Sequence, residues 1–247
     1  MRPDISRIAL RTGKLAELLF FPSFCRICSA LLDSTGERVV CRRCLAGMTA
    51  RRSGFCLVCG RFFEGEGDPH ICGECQQSPP AFSRHRSCAS YRGIIKDVIL
   101  LFKFRGYSVL GDPLARFMNR TLDREEDLWW GVDVLVPVPL HPRRRARRGF
   151  NQAAVLARRL GRLRELEVVE GVLIRKENRA PQSALSAVER RKNIRGAFGV
   201  KNRIRLKGKT VLLVDDVFTT GTTLEECARI LKRDGVREVR AVTAAQA

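Results

Sequence analysis

Thirteen residues, VLLVDDVFTTGTT from Val211 to Thr223, set acids, hydroxyls and a glycine in an order that suits one ligand chemistry. Val211 to Val214 is a continuous apolar run, the pattern of a strand buried on both faces of a parallel sheet. Beyond Thr223, the residues Leu224, Cys227, Ala228, Ile230 and Leu231 recur at helical spacing with charges between them. In open parallel sheets, ligands bind just past the carboxyl ends of the strands. A helix start offers a phosphate unpaired backbone N–H groups and the positive end of its dipole. Thr219, Thr220, Thr222 and Thr223 add hydroxyls, and Gly221 lets the backbone approach closely. Asp215 and Asp216 would repel a phosphate but accept hydrogen bonds from a vicinal diol. Alternate residues of a strand point to opposite faces, so both acids reach one ligand only if the chain turns there. Taken singly, these residues suit a strand end or a helix cap equally well; as an ordered set they suit a sugar phosphate.

A second constellation lies at the other end of the chain. Eight of the ten cysteines form four Cys-x-x-Cys pairs: Cys25/Cys28, Cys41/Cys44, Cys56/Cys59 and Cys72/Cys75. Adding 31 to each of the first four numbers gives the second four, so the segment is an internal duplication. Two such turns present four thiolates, enough for a closed tetrahedral zinc site, and the duplication predicts about two structural zinc ions. Disulfides need an oxidising compartment, and no secretion signal is present to suggest one. Iron–sulfur ligation suits a duplicated ribbon spacing less well. Sequential sites are the simpler arrangement, while an interleaved cross-brace stays open. His70 and His85 are not needed as ligands, and Cys88 and Cys227 read as buried small hydrophobes.

Elements that could position these residues follow from periodicity. Residues 1–22 read as an amphipathic helix, with Ile5, Ile8, Leu15 and Leu19 interrupted by Arg11, Lys14 and Glu17. Residues 23–80 form the cysteine-rich module, and QQSPPAF (Gln76 to Phe82) reads as the linker out of it. Residues 81–247 alternate strands and helices, which predicts an α/β fold with a parallel sheet. The helix after Tyr91 carries Ile94, Ile95, Val98, Leu101 and Phe102 inward. Val134 to Val138 is a second buried strand, expected to break into an Arg-rich loop and re-enter a helix near Phe150. EVVEGVLIRK reads as one further strand, and AFGV and REVRAVTAA as short strands around the acid-bearing one.

The chain carries 46 Lys+Arg against 26 Asp+Glu, a net charge of +20. Such a surface attracts polyanions: nucleic acid, anionic lipid or phosphorylated metabolites. No run approaches the apolar length of a membrane span. Arginine fills five of the six positions from Arg143 to Arg148, beside His141 and just past a strand. On composition alone that run could be a solvated face.

The stretch around Asp215 resembles the phosphoribosyl-diphosphate-binding motif of type I phosphoribosyltransferases. The resemblance implies that Asp215 and Asp216 contact the ribose hydroxyls and that Thr219, Thr220, Gly221, Thr222 and Thr223 bind the 5-phosphate. Phe218 departs from the aliphatic residue more usual there, a change expected to affect packing under the loop. The loop holding Leu140, His141, Arg143 and Arg148 would bind the departing pyrophosphate, where cations offset the charge growing on the leaving oxygen. The basic segment from Arg175 to Phe198, with Lys176, Gln182, Arg190 and Arg191, resembles the flexible loop that closes over the substrate in such enzymes. With the cysteine module in front, VPVPLHPRRRARRGFNQA, PQSALSAVERRKNIRGAF and VLLVDDVFTTGTTL resemble the bacterial ComF family, associated with uptake of transforming DNA. The resemblance implies a cytoplasmic, phosphoribosyltransferase-like α/β fold behind a double zinc ribbon, using magnesium with phosphoribosyl diphosphate. It also implies single-stranded DNA and competence-machinery proteins, such as a DNA translocase at the inner membrane, as partners. It names no acceptor, so transfer, sensing and DNA binding all stay open. Few aromatics are interleaved with the basic clusters, which favours phosphate-dominated, sequence-tolerant binding.

Overall fold

The computed structural model describes residues 22–32, 38–65, 67–104, 106–175, 196–201 and 203–247. The expected helix at 1–22 lies almost wholly outside them. The chain divides into two compact units at Met48/Thr49, so the boundary falls between the two cysteine repeats.

In the first unit, Phe24 and Leu31 bridge a tight Cys25/Cys28 turn, and helix α1 (Arg42–Ala46) starts beside Cys41. The second unit opens with the same construction 31 residues on. Phe55 and Phe62 bridge the Cys56/Cys59 turn, and helix α2 (Gly73–Gln77) starts beside Cys72.

Strand β1 (Arg84–Ser87) follows, then helices α3 (Gly93–Phe104), α4 (Gly111–Leu122) and α5 (Glu126–Trp129). Strand β2 (Val134–Pro137) leads to α6 (Pro142–Arg148) and α7 (Gln152–Arg164). Strands β3 (Glu167–Val168), β4 (Leu173–Arg175), β5 (Phe198–Val200) and β6 (Thr210–Phe218) come next, and helix α8 (Thr222–Arg233) and strand β7 (Glu238–Gln246) close the chain. Five strands form one parallel sheet in the order β1-β7-β6-β2-β3.

The sheet is covered on both faces, which is why its central strands are apolar without alternation. Val211 and Leu213 of β6 share a core with Leu224, Cys227, Ala228 and Leu231 of α8. Leu212 and Val214, on the opposite face by the period of two, are equally buried, and α7 packs against β2 and β6. Cys88 and Cys227 are fully buried, as expected. No helix among the described residues is long and apolar enough to cross a membrane.

Five expectations need correction. The acid-bearing strand does not end at Val214: pairing with β7 continues through Val217↔Ala245 and Phe218↔Gln246, so the turn comes after the acids. The Arg143–Arg148 run is helical, because Pro142 fits a first helical turn and the His141 side chain caps it. EVVEGVLIRK divides, with β3 in the main sheet and β4 outside it. AFGV does not flank β6 either: β5 pairs antiparallel with β4 in a separate ribbon, while β7 is long rather than short.

The second cysteine ribbon is seated on β1. The Val58 carbonyl accepts from His85 N at 2.8 Å, and the Arg86 guanidinium stacks 3.2 Å from the Phe55 ring centre. Here the two repeats diverge. The residue after each first Cys-x-x-Cys has positive φ, 58° at Ser29 and 65° at Gly60. A Cβ at Gly60 would stand 2.3 Å from the His85 carbonyl oxygen, so it is space, beyond the positive φ that both positions share, that demands glycine there. Gly60→Ala is therefore expected to destabilise the zinc-loaded protein by about 2 kcal/mol or more. Ser29→Ala should change stability by less than about 0.5 kcal/mol, since serine already tolerates that backbone. Thermal unfolding of both variants checks the asymmetry, and equal losses would refute it.

Candidate functional site

The cysteines form two separate, sequential clusters, Cys25/Cys28/Cys41/Cys44 and Cys56/Cys59/Cys72/Cys75, with the ligand atoms of each within 4.8 Å of one another. Tetrahedral zinc with Zn–S bonds of about 2.3 Å requires sulfurs about 3.8 Å apart. The Sγ separations are 3.9 Å for Cys25–Cys44, 3.6 Å for Cys28–Cys41 and 3.8 Å for Cys59–Cys72. Both repeats place a backbone N–H on the first thiol at 3.3 Å, Cys41 N on Cys25 and Cys72 N on Cys56. Burial alone would raise these thiols, but the backbone N–H groups around them bring Cys25 down to about 6 and Cys56 to about 7. Cys44, Cys59 and Cys75 are instead raised by burial and by the neighbouring thiols, so it is the tetrahedral spacing of each set that fits two structural zinc ions.

At the carboxyl ends of β2 and β6 lies a cleft of about 310 Å³. Asp215 and Asp216 line it together with Leu140, Arg144, Arg148, Arg175, Thr219 and Thr223. The Lys103 ammonium, at the end of α3, lies 2.7 Å from Asp216 Oδ1, with both side chains largely buried. Asp215 Oδ1 accepts from Asp216 N at 2.8 Å. Burial and the adjacent Asp216 charge push the Asp215 carboxyl up to about 7, against the pull of that N–H and of Lys103. Arg148 donates to Gln152 Oε1 at 2.9 Å, while its Nε and Gln152 Nε2 are buried with no partner among the described residues. Burial lowers both Arg148 and Arg175 from the usual arginine value. Asn151 ties α7 to the end of β2, donating to the Val138 carbonyl at 3.0 Å and accepting from Ala153 N.

Not every expected residue faces this cleft. His141 Nδ1 accepts from Arg143 N at 3.2 Å, so His141 serves as a helix cap, and Arg144 lines the cleft instead of Arg143. Thr220, Gly221 and Thr222 line a neighbouring cavity of about 370 Å³ beside the second cysteine ribbon. Lys176, Gln182, Arg190 and Arg191 lie outside the described residues. Lys103, Tyr91 and Gln152 were missed. Lys103 sits in the helix ILLFKF with nothing nearby in sequence to tie it to an acid more than a hundred residues away. Gln152 and Asn151 did carry a signal, as polar residues directly after a glycine-containing turn.

Residues 114–247 match the phosphoribosyl transferase domain family and residues 16–89 the double zinc ribbon domain family. Competence protein F of Haemophilus influenzae is 31% identical over 170 residues, covering 67% of this chain and 74% of that protein. DNA utilization protein YhgH of Escherichia coli is 31% identical over 230 residues, 90% of this chain and 96% of that protein. Among solved structures, a purine phosphoribosyltransferase from Pyrococcus horikoshii aligns with 56% of this chain and 83% of its own, at 16% identity and a TM-score of 0.35.

The raised Asp215 carboxyl has a consequence for stability. An aspartate in the unfolded chain loses its proton near 4, whereas Asp215 holds it to about 7. Between these values the folded chain binds a proton that the unfolded chain lacks, so stability falls as pH rises through the window. Ligand-free Asp215→Asn should match the wild type near pH 4 and exceed it above pH 7 by about 1–3 kcal/mol. Unfolding curves from pH 4 to 8 check this, and a difference that does not grow with pH would refute it.

Proposed function

Because this chain belongs to the ComF family, with a phosphoribosyl transferase domain behind a double zinc ribbon, we propose that its sheet-end cleft binds magnesium phosphoribosyl diphosphate and serves the handling of incoming DNA. One observation carries the ligand: two carboxylates with Thr219 and Thr223, the two ends of the turn after the central strand, line one cleft with Lys103, Arg144, Arg148 and Arg175. Asp215 and Asp216 would accept from the ribose diol, and the turn at the start of α8 would hold the 5-phosphate. Arg144, Arg148 and Arg175 would neutralise the diphosphate, assisted by the magnesium ion it carries. Gln152 Nε2, buried and without a partner among the described residues, adds one N–H donor to the cleft wall. The four cations exceed the two carboxylates, which suits a ligand with a diol at one end and several negative charges at the other.

The DNA role rests on the relatives named for competence and DNA utilization, and on the charge of +20. Arg143, Arg145 and Arg147 are exposed on α6 and do not line the cleft, leaving them for a backbone of phosphates. Sugar transfer and ligand sensing share the binding step. Pyrophosphate release on adding bases, nucleosides or DNA separates them.

Magnesium phosphoribosyl diphosphate should raise the melting temperature of the zinc-loaded protein, because it binds the folded state. In the Asp215→Asn, Asp216→Asn double variant that rise should vanish with zinc content unchanged; a full shift there would make the two acids structural. Single-stranded DNA should bind with little sequence preference, and its affinity should fall by about 0.7 log units per log unit of salt for each phosphate neutralised. Replacing Arg143, Arg145 and Arg147 with alanine should flatten that slope by up to about 2, measured by titration at several salt concentrations. An unchanged slope would move the DNA path off α6.

A further inference from the structure

The second ribbon reaches the phosphate-proposed turn through two buried rings. The Cys59 carbonyl, on a residue of the second cysteine cluster, lies 2.7 Å from His85 Nδ1. A carbonyl only accepts, so Nδ1 carries the proton, and Nε2 accepts from the Thr243 hydroxyl at 3.1 Å on β7. The imidazole then stacks on the Phe218 ring, with centroids 4.3 Å apart and planes at 19°. Both residues are buried, His85 completely and Phe218 to 3% exposure. Phe218 in turn fills the space beneath Gly221, where a Cβ would fall 2.8 Å from the ring. Gly221 has φ of 76° and starts α8, so its position sets where the free N–H groups of that helix point.

We infer that the second zinc ribbon, and not the first, is a built-in brace of the Thr219–Thr223 turn, acting through Cys59, His85 and Phe218. His85 and Phe218 are positioning residues in this arrangement, since neither lines the cleft that holds the two acids. The inference rests on the sugar-phosphate reading only for its effect on binding; the bracing of the turn stands apart from it.

The test uses the full-length, zinc-loaded protein and four variants, Phe218→Leu, His85→Asn, Cys72→Ser and Cys44→Ser. Zinc content, amide hydrogen exchange of residues 219–223 without ligand, and affinity for magnesium phosphoribosyl diphosphate are measured on each. Phe218→Leu and His85→Asn should keep two zinc ions, yet exchange at the turn should quicken about tenfold and affinity should fall about tenfold. Exchange in the central part of β6 should stay unchanged, which general destabilisation would not leave so. Cys72→Ser should lose one zinc and loosen the turn likewise, whereas Cys44→Ser should lose one zinc and leave the turn as in the wild type. Should Cys72→Ser fail to fold, the two zinc-retaining variants decide. Wild-type exchange at the turn in Phe218→Leu and His85→Asn, or equal loosening in Cys44→Ser, overturns the brace. A wild type that does not bind the ligand refutes the sugar-phosphate reading instead, and the exchange results still decide the brace.

Discussion

Two adjacent carboxylates at the end of a buried strand set the constraint around which this protein is organised. Burial and mutual repulsion both oppose the ionisation of Asp215, whose carboxyl is pushed up to about 7. The structure answers with four cations from three separate elements: Lys103 at the end of α3, Arg144 and Arg148 on α6, and Arg175 on β4. Among these four, Lys103 makes direct contact, at 2.7 Å from Asp216. Stripping one member from so buried a pair typically costs about 3–5 kcal/mol, because the other charge is left uncompensated. The docking of α3, which buries Ile95, Val98, Ile99 and Phe102, is thereby tied to the site. In the proposed binding mode a ligand diol at Asp216 would share it with this ammonium, which would link binding to the seating of α3.

The duplicated ribbons show how one sequence unit takes two roles. Their sulfur geometry, bridging pairs and helical turns repeat at the same 31-residue offset. What differs is the residue under positive φ and what stands beside it. Serine serves at position 29, but at position 60 the β1 backbone comes so near that any side chain would collide. The second ribbon has lost freedom at that position and gained a seat on the sheet.

Much of the site was legible in the sequence, for identifiable reasons. The acids, Thr219 and Thr223, and the eight cysteines are each encoded within short segments, where spacing limits which atoms can converge, while Thr220, Gly221 and Thr222 of the same turn line the neighbouring cavity. The parallel sheet was legible because fully buried strands abandon alternation. Three kinds of feature were not. Where β6 ends depends on pairing with β7, and no local signal reports it. AFGV has the composition of a core strand, but its partner is β4, so only topology assigns it. Lys103 and His85 act on residues far away in sequence, and a lone lysine or histidine in an apolar stretch announces no partner.

The arginine run shows why its helical state matters more than its composition. As a loop, five arginines would present an undivided field. As α6, capped by His141 and ended by Gly149 at φ of 80°, they are sorted by the period of the helix. Arg144 and Arg148 stand four residues apart, hence on one face, and both line the cleft. Arg143, Arg145 and Arg147 are left exposed on the rest of the surface. Burial shifts Arg148 away from the usual arginine value, and its guanidinium rests 5.0 Å from the Phe104 ring centre and on Gln152, so its reach is fixed before any anion arrives. One short helix therefore sends two arginines to the cleft, Arg148 held in place and Arg144 exposed at its rim, and leaves three on the outer surface, the division that the proposed small and extended anions would use.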